Sequence, residues 1–513
     1  MKKSILLLSA VLAGAAFAAR PIARWDVVPY QRISGTFKAG VVAFHEKSVK
    51  VEFSVNGKKE YTAEQPTLNT RTKVWEYVFA FDATKYRDGL VKIGATAIAD
   101  GEAPYQLPDL EMYANSKKTQ GSRKCVWVDP KDGNEFAEGT KDAPVKSLKQ
   151  AVAKAGDGGT VFLYPGKYQA KMIGGGKDNK YWTLLMPAKD VKRSQVKIQG
   201  GRTGTDKIHF KNVEFYSDLT DGYGAIIMGE GGETMGWFDN CKFYNKGGRY
   251  AGTVSVFGNK MRAFVTGGST SEVANGPQCE LVRGHEISSI ACDALPFDNA
   301  LVVNTTVSDI DATGTPGDPD LFNGFASGKS WVGDVILYNV KATDVKAKGL
   351  SGRRLRNSAF VNVSVEGTGG TLVYSRFCEE IENCLFMQVS LVDQAVQLMK
   401  TKNRSIDFIP TDVRFYNCVM KGIDGFGAGD DGHLGLTVSN CAYYNRDEHG
   451  DQLTYGKNAV AIERAFADEG AKNFALPSDS PALTTGRYLQ TVPVDINGAA
   501  YPDSERPCGA YAK

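Results

Sequence analysis

From residue 129 onward, apolar and polar positions alternate in short runs closed by Asn, Asp or Gly, the pattern of many brief strands. Before that point lie longer alternating segments, Thr36–Phe44, Val49–Val55, 75–81 and 91–98, the second ending at Asn56-Gly57, a strong hairpin signal. Between the two patterns, Leu148, Ala151, Val152 and Ala155 fall at i, i+3, i+4 and i+7, which predicts a short helix with one apolar stripe. Gly156-Asp157-Gly158-Gly159 stops that helix, and Thr160-Val161-Phe162-Leu163-Tyr164 follows as a strand ended by Pro165-Gly166.

Past the helix an irregular repeat sets in. Phe210-Lys211-Asn212-Val213 recurs around Asn240, Asn304, Asn339, Asn362, Asn383, Asn417 and Asn440, each time with an apolar residue two positions before the Asn. The spacing of roughly two to three dozen residues, with one longer gap, is that of a stacked solenoid. Asn suits a tight bend because it tolerates the left-handed backbone, and stacked Asn amides can bond one another along the axis. Asn304, Asn362 and Asn403 also head glycosylation sequons, a weaker reading where the Asn already has a turn role.

These residues carry a resemblance. Asp132-Gly133-Asn134, Gly139-Thr140, Ala143-Pro144, the Ala-rich helix, Gly158-Gly159-Thr160-Val161 and Pro165-Gly166-Lys167-Tyr168 resemble the N-terminal cap of pectate-lyase-like right-handed parallel β-helix proteins. Ser480-Pro481-Ala482-Leu483, Asp495-Ile496-Asn497-Gly498 and Cys508-Gly509-Ala510-Tyr511 look like their closing segment. The early segment around Phe81-Asp82-Ala83-Thr84 and Tyr86-Arg87-Asp88-Gly89 resembles the last strands of immunoglobulin-like sandwiches in exported bacterial enzymes. The expected fold is therefore all-β: signal peptide 1–18, sandwich 19–116, linker 117–124 and right-handed parallel β-helix 125–513. The β-helix resemblance implies polysaccharide lyases, glycoside hydrolases, adhesins or proteins without activity.

Composition narrows the partners. Lys2-Lys3, an apolar stretch at 5–11 and Ala16-Phe17-Ala18 read as a secretory signal peptide, so a secreted, periplasmic or cell-surface location is expected. With 61 Lys+Arg against 58 Asp+Glu the net charge is +3, too little field to recruit nucleic acid, and no apolar run after the leader is long enough to span a membrane. A monomer is expected. The nine cysteines are odd in number, and Cys241, Cys384, Cys418 and Cys441 each follow an Asn, which reads as buried stacking thiols rather than a disulfide framework. Dinucleotide, P-loop, G-x-S-x-G and H-E-x-x-H motifs are missing. Trp25 and Tyr30 in the sandwich could present a stacking face to a sugar, although single aromatics there are more often core.

Candidate chemistry gathers between residues 309 and 400. Aligning 321–325, 350–354, 372–376 and 396–400 as successive rungs stacks Asn323, Arg353, Arg376 and Lys400, a cationic row that an anionic chain would need. A lyase requires a group to neutralise the uronate carboxylate, a base and a proton donor: Arg353 or Arg376, Lys400 and Tyr374 fill those parts. Arg354, Asn323, His285 and Gln397 are the expected substrate contacts. The segment Asp318-Pro319-Asp320-Leu321-Phe322-Asn323 resembles the His-Pro-Asp-x-Phe-Gln loop of exported β-helix proteins, with Asp318 for the His and Asn323 for the Gln. Asp318 and Asp320 could act as acid and base of a hydrolase, or Asp309, Asp311 and Asp318 could hold Ca²⁺. No nucleotide or organic cofactor is expected. A non-catalytic carbohydrate-binding or surface-structural solenoid is the competing class, and a solvated face balanced by nearby acids accounts for the same cations.

Overall fold

The computed structural model describes residues 19–512 apart from 171–172, 174–177, 221–224, 230–233, 255–260, 296–298, 312–319, 325–331, 347, 353, 368–370, 375–379, 393–394, 398–410, 421–422, 425–435, 445–452, 455 and 469. Its first part is a two-sheet sandwich. One sheet orders Ile22–Trp25, Thr36–Phe44, Val74–Asp82 and Thr67–Asn69; the other is built on Gly89–Ala99 and Val49–Val55, with Leu110–Ala114 and Lys58–Ala63 outside them. Val49, Val51, Phe53 and Val55 alternate inward as the period-2 pattern requires.

From Cys125–Val128 onward the chain winds into coils whose strands pair in parallel with the coil before and after. The coils present three faces. The first face runs through Ile208–Lys211, Thr234–Asp239, Met261–Thr266 and onward; the second through Glu214–Ser217, Lys242–Asn245 and Ser269–Val273. The third is split into Gly201–Thr203, Ala225–Gly229 and Gly252–Val254, then a seven-stranded sheet from Asp293–Leu295 to Leu453–Thr454. The chain is a right-handed parallel β-helix with an immunoglobulin-like sandwich before it, parallel crossovers taking the usual hand.

The helix Leu148–Ala155 forms where the stripe predicts it, with Ser147 accepting from the Gln150 amide at its N-terminus. Its buried residues are Leu148, Ala151, Val152 and Ala155, and they close the open end of the first coil. At the other end Tyr444, Phe466, Phe474 and Tyr511 form a separate apolar lid.

The bends follow the Asn positions. Asn212, Asn240, Asn304, Asn339, Asn362, Asn417 and Asn440 all have φ between 49° and 56°, the left-handed region. Gln388 takes that position, at φ 53°, in the coil where the repeat suggests Asn383. Asn383 instead lies one corner earlier, donating to Asn357, so Cys384 stands apart from Cys241, Cys418 and Cys441. The reason is register: Phe360 pairs with Phe386, which carries the bend on to residue 388. Asn240 donates to Asn212 at 2.8 Å, Asn339 to Asn304 at 3.0 Å and Asn362 to Asn339 at 3.0 Å. Inside the bend Phe360, Phe386 and Phe415 stack with centroids 4.8 and 4.4 Å apart, each pair adding roughly 1 kcal/mol beyond burial.

The first face is apolar on both sides. Val302, Leu337, Phe360 and Phe386 enter the solenoid core, while their neighbours Leu301, Val303, Ile336, Tyr338, Val361 and Met387 pack against Ile22, Val28, Val42, Phe44 and Val74 of the sandwich. The sandwich thus lies along the coils. Polar contacts cross this junction: Asp26 accepts from Arg283, Glu46 from Arg414 at 2.7 Å, and Trp182 Nε1 donates to the Pro29 carbonyl at 2.7 Å. The segment 117–124 is tied down too, Thr119 and Ser116 donating to Asp88 and Arg32 to the Gln120 carbonyl.

Glu76 is fully buried there. Its Oε1 accepts from Asn69 at 2.6 Å and Thr72 at 2.8 Å, and Gly40 stands opposite it, where a Cβ would come within 2.0 Å of the carboxyl and force it to move. Burial, then the nearby Asp26 charge, push the Glu76 carboxyl well above its ordinary range. Folded Glu76 therefore holds its proton more tightly than the unfolded chain does. Its contribution is complete below the ordinary carboxylate range and is lost as pH rises through the raised value. Glu76→Gln should shrink the loss of stability between mildly acidic and alkaline pH, read as the urea midpoint at each pH. Asn339→Ala, which places a Cβ residue in the left-handed bend and removes two amide bonds, should cost about 2–3 kcal/mol, and Asn339→Gly about 1 kcal/mol less.

Candidate functional site

The seven-stranded third face holds the segments expected to carry chemistry. Asp320–Gly324, Lys348–Gly352, Thr371–Tyr374, Ala395–Gln397 and Ile423–Asp424 are consecutive parallel strands. Their register differs by one residue from the expected alignment. Phe322 pairs with Leu350, and Val373, Val396 and Ile423 follow in line. Asn323 pairs with Ser351, Ser351 with Tyr374, Tyr374 with Gln397 and Gln397 with Asp424. Leu321 and Phe322 are both core residues, each 1% exposed, so burial does not choose between the two alignments; the pairing to the neighbouring coils does.

The row one position on is thus Asn323, Ser351, Tyr374, Gln397 and Asp424. Asn323, Tyr374 and Gln397 belong to the expected site, whereas Ser351 and Asp424 are additions to it. Their sequence signal is the same as that of Asn323, since each follows an apolar residue in a short strand as Asn323 follows Phe322. Arg354 opens the long strand Arg354–Glu366 and pairs with Glu380, which places it beyond the third-face strand Lys348–Gly352 and just before the Asn357 corner that leads into the first face. Arg353, Arg376, Lys400 and Asp318 lie outside the described residues.

Asp320 is 3% exposed and pairs in register with Asp293, itself 4% exposed, on one side and Lys348 on the other. His285 lies inside, 1% exposed, immediately after the bend glycine Gly284 and in line with Thr305 of the next coil. One ring nitrogen meets the Gly267 carbonyl at 2.7 Å and the other the Thr270 hydroxyl at 2.8 Å. Burial lowers its pKa to about 4, so the ring is neutral and its polar atoms are turned to the core rather than to a sugar.

Asp309 and Asp311 close the second-face strand Leu301–Ile310 and the residue after it. Arg249 joins them, donating to the Asp309 carboxylate at 2.8 Å and to the Asp311 carbonyl at 3.0 Å; Lys346 reaches the Asp311 carboxylate at 3.0 Å. A calcium ion at these carboxylates would have to displace both cations. Among the described residues no group of three or more acidic, His or Cys side chains is arranged to hold a metal.

No family model matches the chain, and no curated protein matches it. Solved structures are similar to parts of it. The GH136 lacto-N-biosidase from Eubacterium ramulus aligns at 10% identity and TM-score 0.37 over 66% of this chain and 67% of its own. By its own sheet topology the chain is a parallel β-helix. The pectate lyase Pel9A aligns at 14% identity and TM-score 0.34, covering 77% of this chain and 98% of its own, and a rhamnogalacturonan lyase at 14% and 0.29, covering 67% and 83%.

His285→Thr tests the buried imidazole. Because its folded pKa is depressed, the stability linked to it is present above the ordinary histidine value and lost as pH falls towards 4, a loss of about 2–3 kcal/mol. The variant should show a flatter acid limb in urea titrations. A chelator, added to the wild-type chain, should leave the thermal midpoint unchanged.

Proposed function

We propose that this chain is an exported carbohydrate-active enzyme, a polysaccharide lyase that cleaves an acidic polysaccharide by β-elimination along the third face. The observation that carries the reading is the register of Asn323, Ser351, Tyr374, Gln397 and Asp424, one above another on five consecutive strands. Parallel rungs stand about 4.8 Å apart, so this row offers a polymer a ladder of hydrogen-bonding positions some 20 Å long. The polymer's uronate or sulfate groups would be met by Arg353 and Arg376, which stand one and two residues beyond the ends of their strands in sequence.

In this reading an arginine neutralises the uronate carboxylate, which acidifies the adjacent C–H. Lys400 removes that proton once neighbouring cations have lowered its pKa. Tyr374 then donates to the leaving glycosidic oxygen as the C–O bond breaks and a double bond forms in the new non-reducing sugar. Gln397 and Asn323 hold flanking rings. The burial of Asp320 leaves a hydrolase acid at that carboxyl with less support. Export belongs to the same proposal and rests on the charged, apolar and Ala-x-Ala segments of residues 1–18. Among the described residues no helix is long and apolar enough to cross a membrane.

Incubation of the mature protein with a panel of uronate polymers should give unsaturated products, followed by their ultraviolet absorbance. Tyr374→Phe should lower kcat by roughly 100-fold or more with little change in KM, and Arg376→Ala should abolish turnover. Full activity in Arg376→Ala would remove the site. Binding without either unsaturated products or new reducing ends would make this a carbohydrate-binding solenoid.

A further inference from the structure

Where the sandwich begins to cover the first face, the two surfaces part and leave a crevice of about 660 Å³, within the usual range of small-molecule sites at domain junctions. It lies on a different face from the polysaccharide ladder and does not rest on that reading. The sandwich supplies Trp25, Tyr30 and Tyr105 to one wall; Arg262, Phe264, Glu280 and Leu281 form the other.

The aromatic wall is preorganised. Trp25 ends the strand Ile22–Trp25, its ring 6.0 Å from Phe53 of the sandwich core, and its Nε1 donates to the Pro108 carbonyl at 2.8 Å. That bond fixes the plane of the half-buried indole, part of which borders the crevice. Tyr30 has φ 61°, held by a 2.6 Å bond from its amide to the Glu111 carbonyl, and its hydroxyl lies beside Glu111 and Arg262. The opposite wall is equally fixed: Arg262 makes a two-point contact with Glu280, at 2.6 and 3.0 Å. Arg24 is pinned to Asn299 at 2.7 Å and to the Asp334 carbonyl at 2.6 Å.

Flat aromatic surface opposite rigid carboxylate and guanidinium groups is the chemistry that recognises a sugar ring, whose C–H face stacks while its hydroxyls bond the polar wall. Charge then selects among sugars. Asp109, Glu111, Glu280 and Asp334 border the crevice against Arg24 and Arg262 alone, and both guanidiniums are engaged by protein oxygens. An anionic ring would enter a site of net negative charge. We propose that this crevice binds a short, uncharged oligosaccharide, stacked on Trp25 and hydrogen-bonded to the Arg262–Glu280 wall.

The full mature chain would be titrated calorimetrically with uncharged gluco-, xylo-, manno- and N-acetylated oligosaccharides, and with oligouronates as the charged comparison. Saturable binding of at least one uncharged ligand is expected, weakened roughly tenfold or more by Trp25→Ala. Because Trp25 also touches the sandwich core, Asp109→Arg provides the second variant: it sits on the exposed rim and should reduce binding by steric occlusion with an unchanged melting midpoint. Tyr374→Phe should bind the uncharged ligand like the wild type. No binding of any uncharged ligand at millimolar concentration, binding of oligouronates only, or binding indifferent to both crevice variants would each overturn the proposal.

Discussion

One backbone conformation, repeated at each coil, governs this molecule. A parallel β-helix must turn sharply between its first and second faces, and the residue at that corner must accept positive φ. Asn does so at modest cost, and its amide then meets the corresponding amide of the next coil, as Asn304, Asn339 and Asn362 do in series. The corner therefore fixes both where each strand ends and how far the next coil is advanced. Everything inside follows: the stacked rings of Phe360, Phe386 and Phe415 meet face to face because their corners are aligned. Where Gln388 replaces Asn at a corner, its amide turns to the Pro507 and Gly509 carbonyls, so the closing segment takes up the bonds the ladder would have made.

The second organising contact is the sandwich against the first face. Outward residues of a lone β-helix meet water, yet Leu301, Ile336, Ala359 and Leu385 are apolar and buried because strands around Phe44 and Val74 cover them. An apolar cover alone is permissive about alignment. The Asp26–Arg283 and Glu46–Arg414 pairs, with the Arg24 contacts to Asn299 and Asp334, set one alignment, since displacing either partner would strand a buried charge.

Much of this was legible from residue types, and the parts that were not share a physical cause. The cap helix could be read because an apolar stripe at i, i+3, i+4 and i+7 matches the helical period and no strand, and the Asn repeat because corners need left-handed residues. Asn383 misled because two corners of the same coil favour the same residue, and local sequence does not say which corner is which. The one-residue slip on the third face has a similar origin. Both Leu321 and Phe322 are apolar and both are buried, so either could have been aligned with Leu350; only pairing to the neighbouring coils decides. The covered first face left a readable trace, unbroken apolar runs such as Leu301-Val302-Val303 and Ile336-Leu337-Tyr338 where an uncovered strand would alternate. At the candidate site, Asn323, Tyr374 and Gln397 could be picked out as rung residues, but their partners Ser351 and Asp424 emerge only once the register is known.

Repeat proteins commonly come apart from their ends, because each unit touches only its neighbours. Here a single splint spans the array: the cluster beneath the sandwich takes in Trp182 near the entrance, Tyr416 many coils later and Leu489 and Tyr501 of the closing segment. Fraying at one terminus would have to detach surface that also holds the middle. The consequence is a solenoid that behaves mechanically as one block, resisting piecemeal loss of its outer turns.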